Sequence, residues 1–288
     1  MELLTIKCQN YGTAEDNKAN IRSALARGLP EVIPALCAHD GTFVVAASGP
    51  SLPDHIEELR SEVASGRPVC AVNGAYDFLV EAGVTPSLAL TVDPRPMPQN
   101  FKNPQAETVF LLASRVNPEL FDRLKGHRVM LWHSFGSMEE AEAWNGKPSI
   151  GGGSTSGMRA ITIGYIMGYR KFVLYGMDSC LADDRKTKRF TGEEAGSTFE
   201  VQVGTNGRRF WCNGAMAQQA NEFQDLFASL EGIQVEAKGA GLIAEILKKR
   251  KLLHAKPEPE FHSLWRPGDG ELSLSGHDPG EGIARLGQ

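Results

Sequence analysis

Between residues 42 and 250 the chain alternates short, almost wholly apolar runs with longer stretches of helical periodicity. The apolar runs fall at 42–47, 69–72, 88–92, 108–113, 128–133, 171–176 and 233–237. Helical patterns occupy 54–65, 74–82, 117–124, 137–145, 156–168, 214–230 and 240–250. Runs that are apolar at every position suit strands buried on both faces, and strands alternating with helices form a mostly parallel sheet. An α/β fold with helices on both faces of such a sheet is therefore expected. Ahead of it, residues 15–38 read as one or two helices: Asn20, Ile21, Leu25 and Ala26, then Val32, Ile33 and Leu36, give an apolar stripe interrupted at Gly28 to Pro30.

Two stretches break the rhythm. Residues 179–212 hold a charged run, Asp183 to Arg189, then the period-two run Phe199 to Val203, then Thr205-Asn206-Gly207 and Arg209-Phe210-Trp211. Asn-Gly between two strand-like runs signals a hairpin, so this reads as an inserted loop and hairpin, which suits either a lid over the carboxyl edge of the sheet or a solvated loop and surface hairpin. Beyond the last helical pattern, Pro257, Pro259, Pro267, Gly268, Gly270, Gly276, Pro279, Gly280 and Gly282 cluster with no apolar period around them. Such a tail is expected to be extended or disordered unless Phe261, Leu264 and Trp265 anchor it to a partner, and its removal should leave thermal stability nearly unchanged. The organisation expected is thus a helical segment at 1–40, an α/β domain at 41–252 and a Pro/Gly-rich tail at 253–288.

Composition narrows the class. Of 288 residues, 41% are hydrophobic and 23% charged, with a formal net charge of -5. That suits a globular protein with a sizeable core and shows no electrostatic footprint for duplex nucleic acid. No apolar run approaches the length of a membrane span, and Met1 to Asp16 lacks a signal pattern, so no membrane partner and a cytoplasmic location are expected. Five cysteines, none at C-x-x-C spacing, make zinc and a disulfide framework unlikely choices of stabiliser. Cys180 draws notice because it follows a candidate site aspartate.

In an open parallel sheet, ligands sit beyond the carboxyl ends of the strands. Every such end here is polar or glycine: Gly49-Pro50-Ser51, Asn73-Gly74, Asp93-Pro94-Arg95, Ser114-Arg115, His133-Ser134 and Gly176-Met177-Asp178. Two turns stand out. Gly49, Pro50 and Ser51 follow the first strand, and Gly151 to Gly157, with Gly152, Gly153, Ser154, Thr155 and Ser156, precedes a long apolar helix. Both place N–H groups and hydroxyls where a helix starts, which is where a phosphate is held without a lysine. These turns, with Asn73, Ser114 and Gly176, are the candidate nucleotide-binding residues, and the two turns should face each other across one cleft. Neither is a Walker A or G-x-G-x-x-G sequence, and each also serves as an ordinary helix cap.

Asp93 and Asp178 are the candidate catalytic and metal-holding residues, since two rim carboxylates suit a Mg²⁺ bridging phosphates. Each also suits a helix cap or a ribose hydroxyl. Arg95, Arg115, Lys186, Lys188 and Arg189 are possible neutralisers of phosphate charge. His133 is the only histidine at a strand end, and there is no metalloprotease, hydrolase-elbow or Cys–His motif.

The ordered series Ser48-Gly49-Pro50-Ser51-Leu52, Val72-Asn73, Asp93, Ser154-Thr155-Ser156-Gly157-Met158 and Gly168-Tyr169-Arg170-Lys171-Phe172-Val173-Leu174-Tyr175-Gly176-Met177-Asp178 resembles a superfamily of Rossmann-like transferases. It includes the MptE-like 6-hydroxymethylpterin diphosphokinases and the motility-accessory glycosyltransferases, and is distantly similar to bacterial sialyltransferases. The resemblance covers about residues 41–250. It implies a Rossmann-like sheet and a nucleotide donor held by Gly49, Pro50, Ser51, Asn73 and the Ser154–Gly157 turn. Sialyltransferases carry a catalytic histidine after the Gly-x-Asp strand, whereas residues 179–253 here contain none, which leaves that reading without its general base. The hairpin followed by a helix resembles the diphosphokinase and motility-accessory branch more closely.

The function expected is therefore nucleotide-dependent transfer: Mg²⁺-dependent movement of a pyrophosphoryl group from ATP to a hydroxymethyl-pterin-like acceptor. The alternatives are a glycosyltransferase using a CMP- or UDP-sugar, and a nucleotide-binding protein without chemistry. The partners expected are the nucleotide and a small-molecule acceptor, with a homo-oligomer or a partner docked through the tail also compatible.

Overall fold

The computed structural model describes residues 12–134, 136–183, 185–188, 193–194, 196–204, 207–255, 272–275 and 283–286. Its centre is a seven-stranded sheet built from β1 (His39–Ala46), β2 (Val69–Val72), β3 (Leu88–Thr91), β4 (Val109–Ala113), β5 (Arg128–Trp132), β6 (Tyr169–Tyr175) and β11 (Gln234–Ala237). The spatial order is β11-β6-β1-β2-β3-β4-β5, and every neighbouring pair is parallel. All seven coincide with the apolar runs of the sequence. The chain enters at β1, moves outward to β5, and returns to β6 on the other side of β1. That reversal makes the carboxyl ends of β1 and β6 the topological switch point.

Helices flank the sheet: α1 (Ala14–Leu25), α2 (Ile56–Ala64), α3 (Gly74–Glu81), α4 (Pro118–Arg123), α5 (Met138–Ala141), α6 (Ser156–Ile166), α7 (Gly214–Ser229) and α8 (Leu242–Ala255). The central helix is α6, which packs on β6, β1, β2 and β3. Gly164 lets it lie against Phe43 and Phe172, where any Cβ would overlap both rings. Phe43, Val44, Val45, Ala46, Ala71, Leu90, Leu112 and Leu174 are all fully buried and form the core between the layers. Continuous apolar strands are thus explained by helices packed against the sheet.

Among the described residues of the N-terminal segment one helix forms. Its start carries a capping box between Thr13 and Asp16, which satisfies two of the helix's otherwise unpaired N–H groups. Residues 26–38 are not helical, which corrects the second half of the expected stripe. Pro30 and Pro34 remove two N–H groups that a helix would need. The segment instead runs along β5, with Leu131 N–H donating to Pro30 O and Val32 N–H to Leu131 O, each at 2.8 Å. Ile33 and Leu36 are left exposed.

The inserted region forms the expected hairpin. Strands β9 (Phe199–Val203) and β10 (Arg209–Cys212) pair antiparallel, with Gln202 opposite Arg209 and Phe199 opposite Cys212. Asn206 of its turn lies outside the described residues. Within the charged run, β7 (Lys186–Lys188) pairs with β8 (Glu193–Glu194). The last helix continues to Ala255, past the expected boundary at 252. Two further strands follow, β12 (Leu272–Ser275) and β13 (Ile283–Leu286), and β12 pairs antiparallel with β9. Part of the Pro/Gly-rich stretch is therefore paired sheet, drawn in by the alternation of Leu272 and Leu274 with serines. Phe261, Leu264 and Trp265 lie outside the described residues. Among the described residues no helix is long and apolar enough to cross a membrane.

Candidate functional site

A cleft of about 710 Å³ opens at the switch point. Ser48 and Gly49 after β1, Asn73 after β2, Asp93 after β3 and Gly176 to Asp178 after β6 line it, together with Thr155, Ser156 and Gly157 at the start of α6. Residues singled out from sequence thus meet in one place, among them Gly49, Asn73, Asp93, Arg95, Thr155, Ser156, Gly157, Gly176 and Asp178. Of the two turns expected to face each other, Gly49–Ser51 and Gly152–Ser156, only Gly49, Thr155 and Ser156 line this cleft.

The first turn is built differently from an anion cradle. Gly49 N–H donates to Gly176 O at 2.7 Å, and Ser51 N–H donates to Asp178 Oδ2 at 2.9 Å. These donors are committed to the 176–178 turn, and Pro50 and Ser51 face a neighbouring cavity of about 580 Å³. Gly49 is required here because a Cβ would overlap both Gly176 O and the Asp178 carboxylate. Asp178 is buried between that turn and Gly241, whose own Cβ would lie 2.6 Å from Asp178 Cα. Burial pushes the Asp178 carboxyl above its ordinary range, and the Ser51 N–H opposes the shift. Asp178 also borders the second cavity, whose far wall is Phe210 and Trp211 of the hairpin. Leu181 N–H donates to Trp211 O at 2.7 Å, so the hairpin is tied directly to the segment leaving Asp178.

Asn73 sits on the sharp turn from β2 into α3 with φ 49° and ψ −130°. An L residue adopts this rarely, and the cost of order 1–3 kcal/mol is sustained by the surrounding fold. The turn directs Asn73 into the cleft, where its Oδ1 accepts from Ser156 Oγ at 3.4 Å. Asn73, Asp77 and Glu81, spaced four apart, present one face of α3 to the same cleft. That spacing was visible in the sequence, and Asp77, Phe78 and Glu81 were not singled out from it. The loop after Asp93 completes the wall with Arg95, Met97, Gln99, Asn100 and Lys102, and α7 adds Met216 and Gln219. The Asp77 carboxylate accepts from Phe101 N–H at 2.6 Å and Lys102 N–H at 2.7 Å, fastening this loop to α3. Burial raises the Asp77 carboxyl against those two bonds.

The second glycine turn divides. Gly152 has φ +112° and packs so tightly on Thr162 that a side chain has no room. Gly153 packs on Met158 in the same way, so these glycines serve contact with their own helix. Ser154 donates from N–H at 2.8 Å and from Oγ at 2.6 Å to the Glu222 carboxylate of α7. None of Gly152, Gly153 and Ser154 lines the cleft. Thr155 is the helix cap, its Oγ1 accepting from Met158 N–H at 3.3 Å. The first N–H groups of α6, at Ser156 and Gly157, lack partners within the helix and stand at the cleft wall. A helix start of this kind suits an anion.

The ends of β4 and β5 do not join the cleft. Ser114 is fully buried, and its Oγ pairs with His133 Nδ1 at 3.0 Å. Burial lowers the His133 pKa, and the Glu31 carboxylate opposes the shift. Arg115 lies 3.5 Å from the Glu140 carboxylate, which also accepts from Asn17 Nδ2 at 2.9 Å. Helix α1, the 31–32 segment and α5 close over this half of the edge. Ser114 therefore stands apart from the other candidate residues. Cys180 is buried and its thiol is pushed up to about 12, which keeps it protonated and unreactive.

Among the described residues no three His, Cys, Asp or Glu side chains converge as a metal cage. Asp93 is half-buried at the cleft, and its carboxylate is forked by Arg95, with Nε 2.9 Å from Oδ1 and Nη2 2.5 Å from Oδ2. A Mg²⁺ held mainly by phosphate oxygens would have to displace the Arg95 guanidinium to reach this carboxylate. Asp178, wedged against Gly49 and Gly241, suits it less well.

The fold has a solved counterpart. It superposes on a MAf glycosyltransferase from Magnetospirillum magneticum AMB-1 with a TM-score of 0.60 at 13% identity, over 85% of this chain and 42% of that one. The chain thus spans less than half the length of that glycosyltransferase. A mammalian sialyltransferase, solved in complex with Gal-beta-1-3GalNAc-ortho-nitrophenol, gives a TM-score of 0.37 at 14% identity, over 78% and 87% of the two chains. No curated protein matches the sequence. The family described as 6-hydroxymethylpterin diphosphokinase MptE-like matches residues 18–184, more than half of the chain, and the chain belongs to that family.

Proposed function

We propose that the cleft holds the phosphates of ATP and that the protein transfers a pyrophosphoryl group to the hydroxymethyl group of a pterin-like acceptor. The observation that carries this reading is the convergence at the switch point of the α6 start, Asn73, Asp93, Arg95 and Lys102 in one cleft. Phosphoryl-type transfer asks little covalent chemistry of a protein, and positioning with charge neutralisation supplies most of the catalysis. In this reading Ser156 and Gly157 N–H groups bind phosphate oxygens, and Asn73 orients the donor. Arg95 and Lys102 offset negative charge. Asp178 fixes the Gly49 turn through Ser51 and acts as a positioning residue. Asp93 would hold a Mg²⁺, which when bound screens the charge of the phosphates.

Titration calorimetry of ATP with Mg²⁺ and with EDTA tests the proposal. ATP binding that is markedly tighter in Mg²⁺ than in EDTA, and that Asp93→Asn weakens about tenfold in Mg²⁺ while hardly changing the residual binding in EDTA, is the expected result. ATP binding that is absent, or equal in both conditions, would overturn it. The second reading is transfer from a CMP- or UDP-sugar. It is favoured by the commitment of the Gly49, Ser51 and Ser154 donors to other protein groups, which leaves few for a triphosphate. Sugar-nucleotide binding indifferent to chelator would support that alternative.

A further inference from the structure

A histidine stands on the wall of the second cavity, the one that meets the cleft at Asp178. His55 immediately precedes α2, and its Nδ1 lies 2.8 Å from Glu58 Oε1. The other Glu58 oxygen is 3.5 Å from the Tyr175 hydroxyl and 3.7 Å from Lys238 Nζ. The bond from His55, with lesser help from Lys238 and Tyr175, holds the Glu58 carboxyl below its ordinary range. Glu58 is therefore ionised near neutral pH and can only accept, so Nδ1 donates and Nε2 of the neutral ring keeps a lone pair. The Tyr175 ring packs against the imidazole with centroids 5.6 Å apart. A histidine oriented by a carboxylate in this way is equipped to take a proton on its second nitrogen.

The neighbours of that nitrogen place it. Glu58, on the Nδ1 side, does not line the cavity, whereas Gly239 does. A Cβ built on Gly239 would stand 3.5 Å from His55 Nε2. Nε2 is thus on the cavity side of the ring, and the absence of a side chain at Gly239 keeps its approach open. The His55 side chain retains 15% of its surface exposed. Burial raises the Asp178 carboxyl, and a protonated His55 is near enough to oppose that rise.

The other walls indicate what approaches. Phe210 and Trp211 supply aromatic surface, and Asp54, Asp178 and Asp183 bring three carboxylates. Of the two arginines on the wall, Arg209 is 3.3 Å from the Glu200 carboxylate, and Arg208 Nη1 donates to Ala240 O at 2.8 Å. Such a lining disfavours phosphate. It suits a flat, neutral ring whose N–H groups reach a carboxylate.

We infer that the second cavity is the subsite of the acceptor, a neutral heterocycle bearing a hydroxyl, and that His55 Nε2, oriented by Glu58, takes up the proton of that hydroxyl. The inference rests on the reading of the neighbouring cleft as an ATP site. The hydroxyl oxygen bonds to the β-phosphorus of ATP. The bond from that phosphorus to the oxygen bridging to the α-phosphorus breaks, and AMP leaves with the electron pair. The hydroxyl proton passes to Nε2, and the Glu58 carboxylate stabilises the imidazolium. Asp178, on the wall common to both cavities, marks where hydroxyl and phosphate meet. The charged and titratable groups around the ring are Glu58 on α2, Tyr175 on β6, Lys238 after β11, and Asp54 and Asp178 on the cavity wall.

The test follows AMP release from ATP, with Mg²⁺ present and 6-hydroxymethylpterin as acceptor, in wild type, His55→Gln, Glu58→Gln and Asp183→Asn. His55→Gln should lower kcat about a hundredfold or more and leave KM for ATP nearly unchanged. The fall of wild-type kcat toward acid pH should vanish in this variant. Glu58→Gln should lower kcat less and keep the acid fall. Asp183→Asn, an exposed substitution, should raise KM for the acceptor about tenfold and not KM for ATP. In calorimetry 6-hydroxymethylpterin should bind equally to wild type alone and to wild type saturated with α,β-methylene ATP, whose bridging carbon blocks the transfer. Equal kcat and equal pH profiles in wild type and His55→Gln, or displacement of the pterin by the ATP analogue, would overturn the inference and leave the ATP reading standing. Wild type that binds ATP and releases no AMP would overturn it as well. Wild type that does not bind ATP would remove the reading beneath it and the inference together.

Discussion

The carboxyl edge of the sheet has two halves that look alike in sequence and differ in structure. The ends of β1, β2, β3 and β6 surround an open cleft. The ends of β4 and β5 carry residues just as polar, Ser114, Arg115 and His133, yet these are buried and engaged with one another or with Glu31 and Glu140. The difference lies in what covers them. Helices α1 and α5 and the segment along β5 roof the second half. The first half is left open at the point where strand order reverses. Polar residues after a strand therefore mark a rim, and the topology decides whether that rim is a site or part of the core.

Substitutions in the two halves should separate stability from binding. The largest effect is expected in the closed half. Glu140→Gln leaves the Arg115 guanidinium buried without its counter-charge, beside an Arg159 whose pKa burial and then Arg115 already lower to about 10. A loss of about 3–5 kcal/mol in chemical unfolding is expected, with the ATP affinity of the folded fraction unchanged. A matching fall in affinity would show that this network reaches the cleft.

Gly49→Ala, in the open half, should couple both readouts. The new methyl group has to displace Gly176 O or the Asp178 carboxylate. Stability should fall by about 1–3 kcal/mol, and ATP affinity by more than tenfold at a temperature where the variant is folded. Full affinity would mean that the turn does not shape the cleft.

The smallest effects are pH dependences of opposite sign. His133 in the closed half has a lowered pKa, so the folded state resists a proton that the unfolded chain accepts. Its contribution is intact above the unfolded value near 6.5 and is lost as pH falls toward the folded one. In the open half, the raised pKa of Asp178 means that its ionisation opposes folding. That penalty develops as pH rises from the unfolded value near 3.9 through the folded one. His133→Gln should flatten the acid side of a stability–pH curve. Asp178→Asn, which keeps an acceptor for Ser51 N–H, should raise stability by about 1 kcal/mol or less at pH 7 and make little difference near pH 3.5. The same slope in both variants and in wild type would assign the pH dependence to other groups.

Much of this was legible in the chain. The seven apolar runs became the seven strands, since burial on both faces of a parallel sheet demands unbroken hydrophobicity. The hairpin signal at Asn206-Gly207 was followed by paired strands on either side. Residues 26–38 were misread because an apolar period outweighed two prolines that forbid a helix. The strand at Leu272–Ser275 was hidden among glycines and prolines, and its pairing partner lies far away in sequence. In the site, Gly49, Asn73, Asp93 and the Thr155–Gly157 start were found as strand ends and a helix cap. Asp77 was missed because its role comes from the bonds its carboxylate makes to Phe101 and Lys102, more than twenty residues away in sequence.

By itself, then, the sequence determined which segments are strands and helices and which polar residues stand at the carboxyl edge, because periodicity, caps and turn chemistry are local. The tertiary structure alone decided how the donors of that edge are used. Gly49, Ser51 and Ser154 offer N–H groups in any listing of their neighbours in the chain, but Gly176, Asp178 and Glu222 reach them first. A hydrogen-bond donor has few partners to give, and the fold determines which are taken up inside the protein and which, as in the first turn of α6, find none within their own helix.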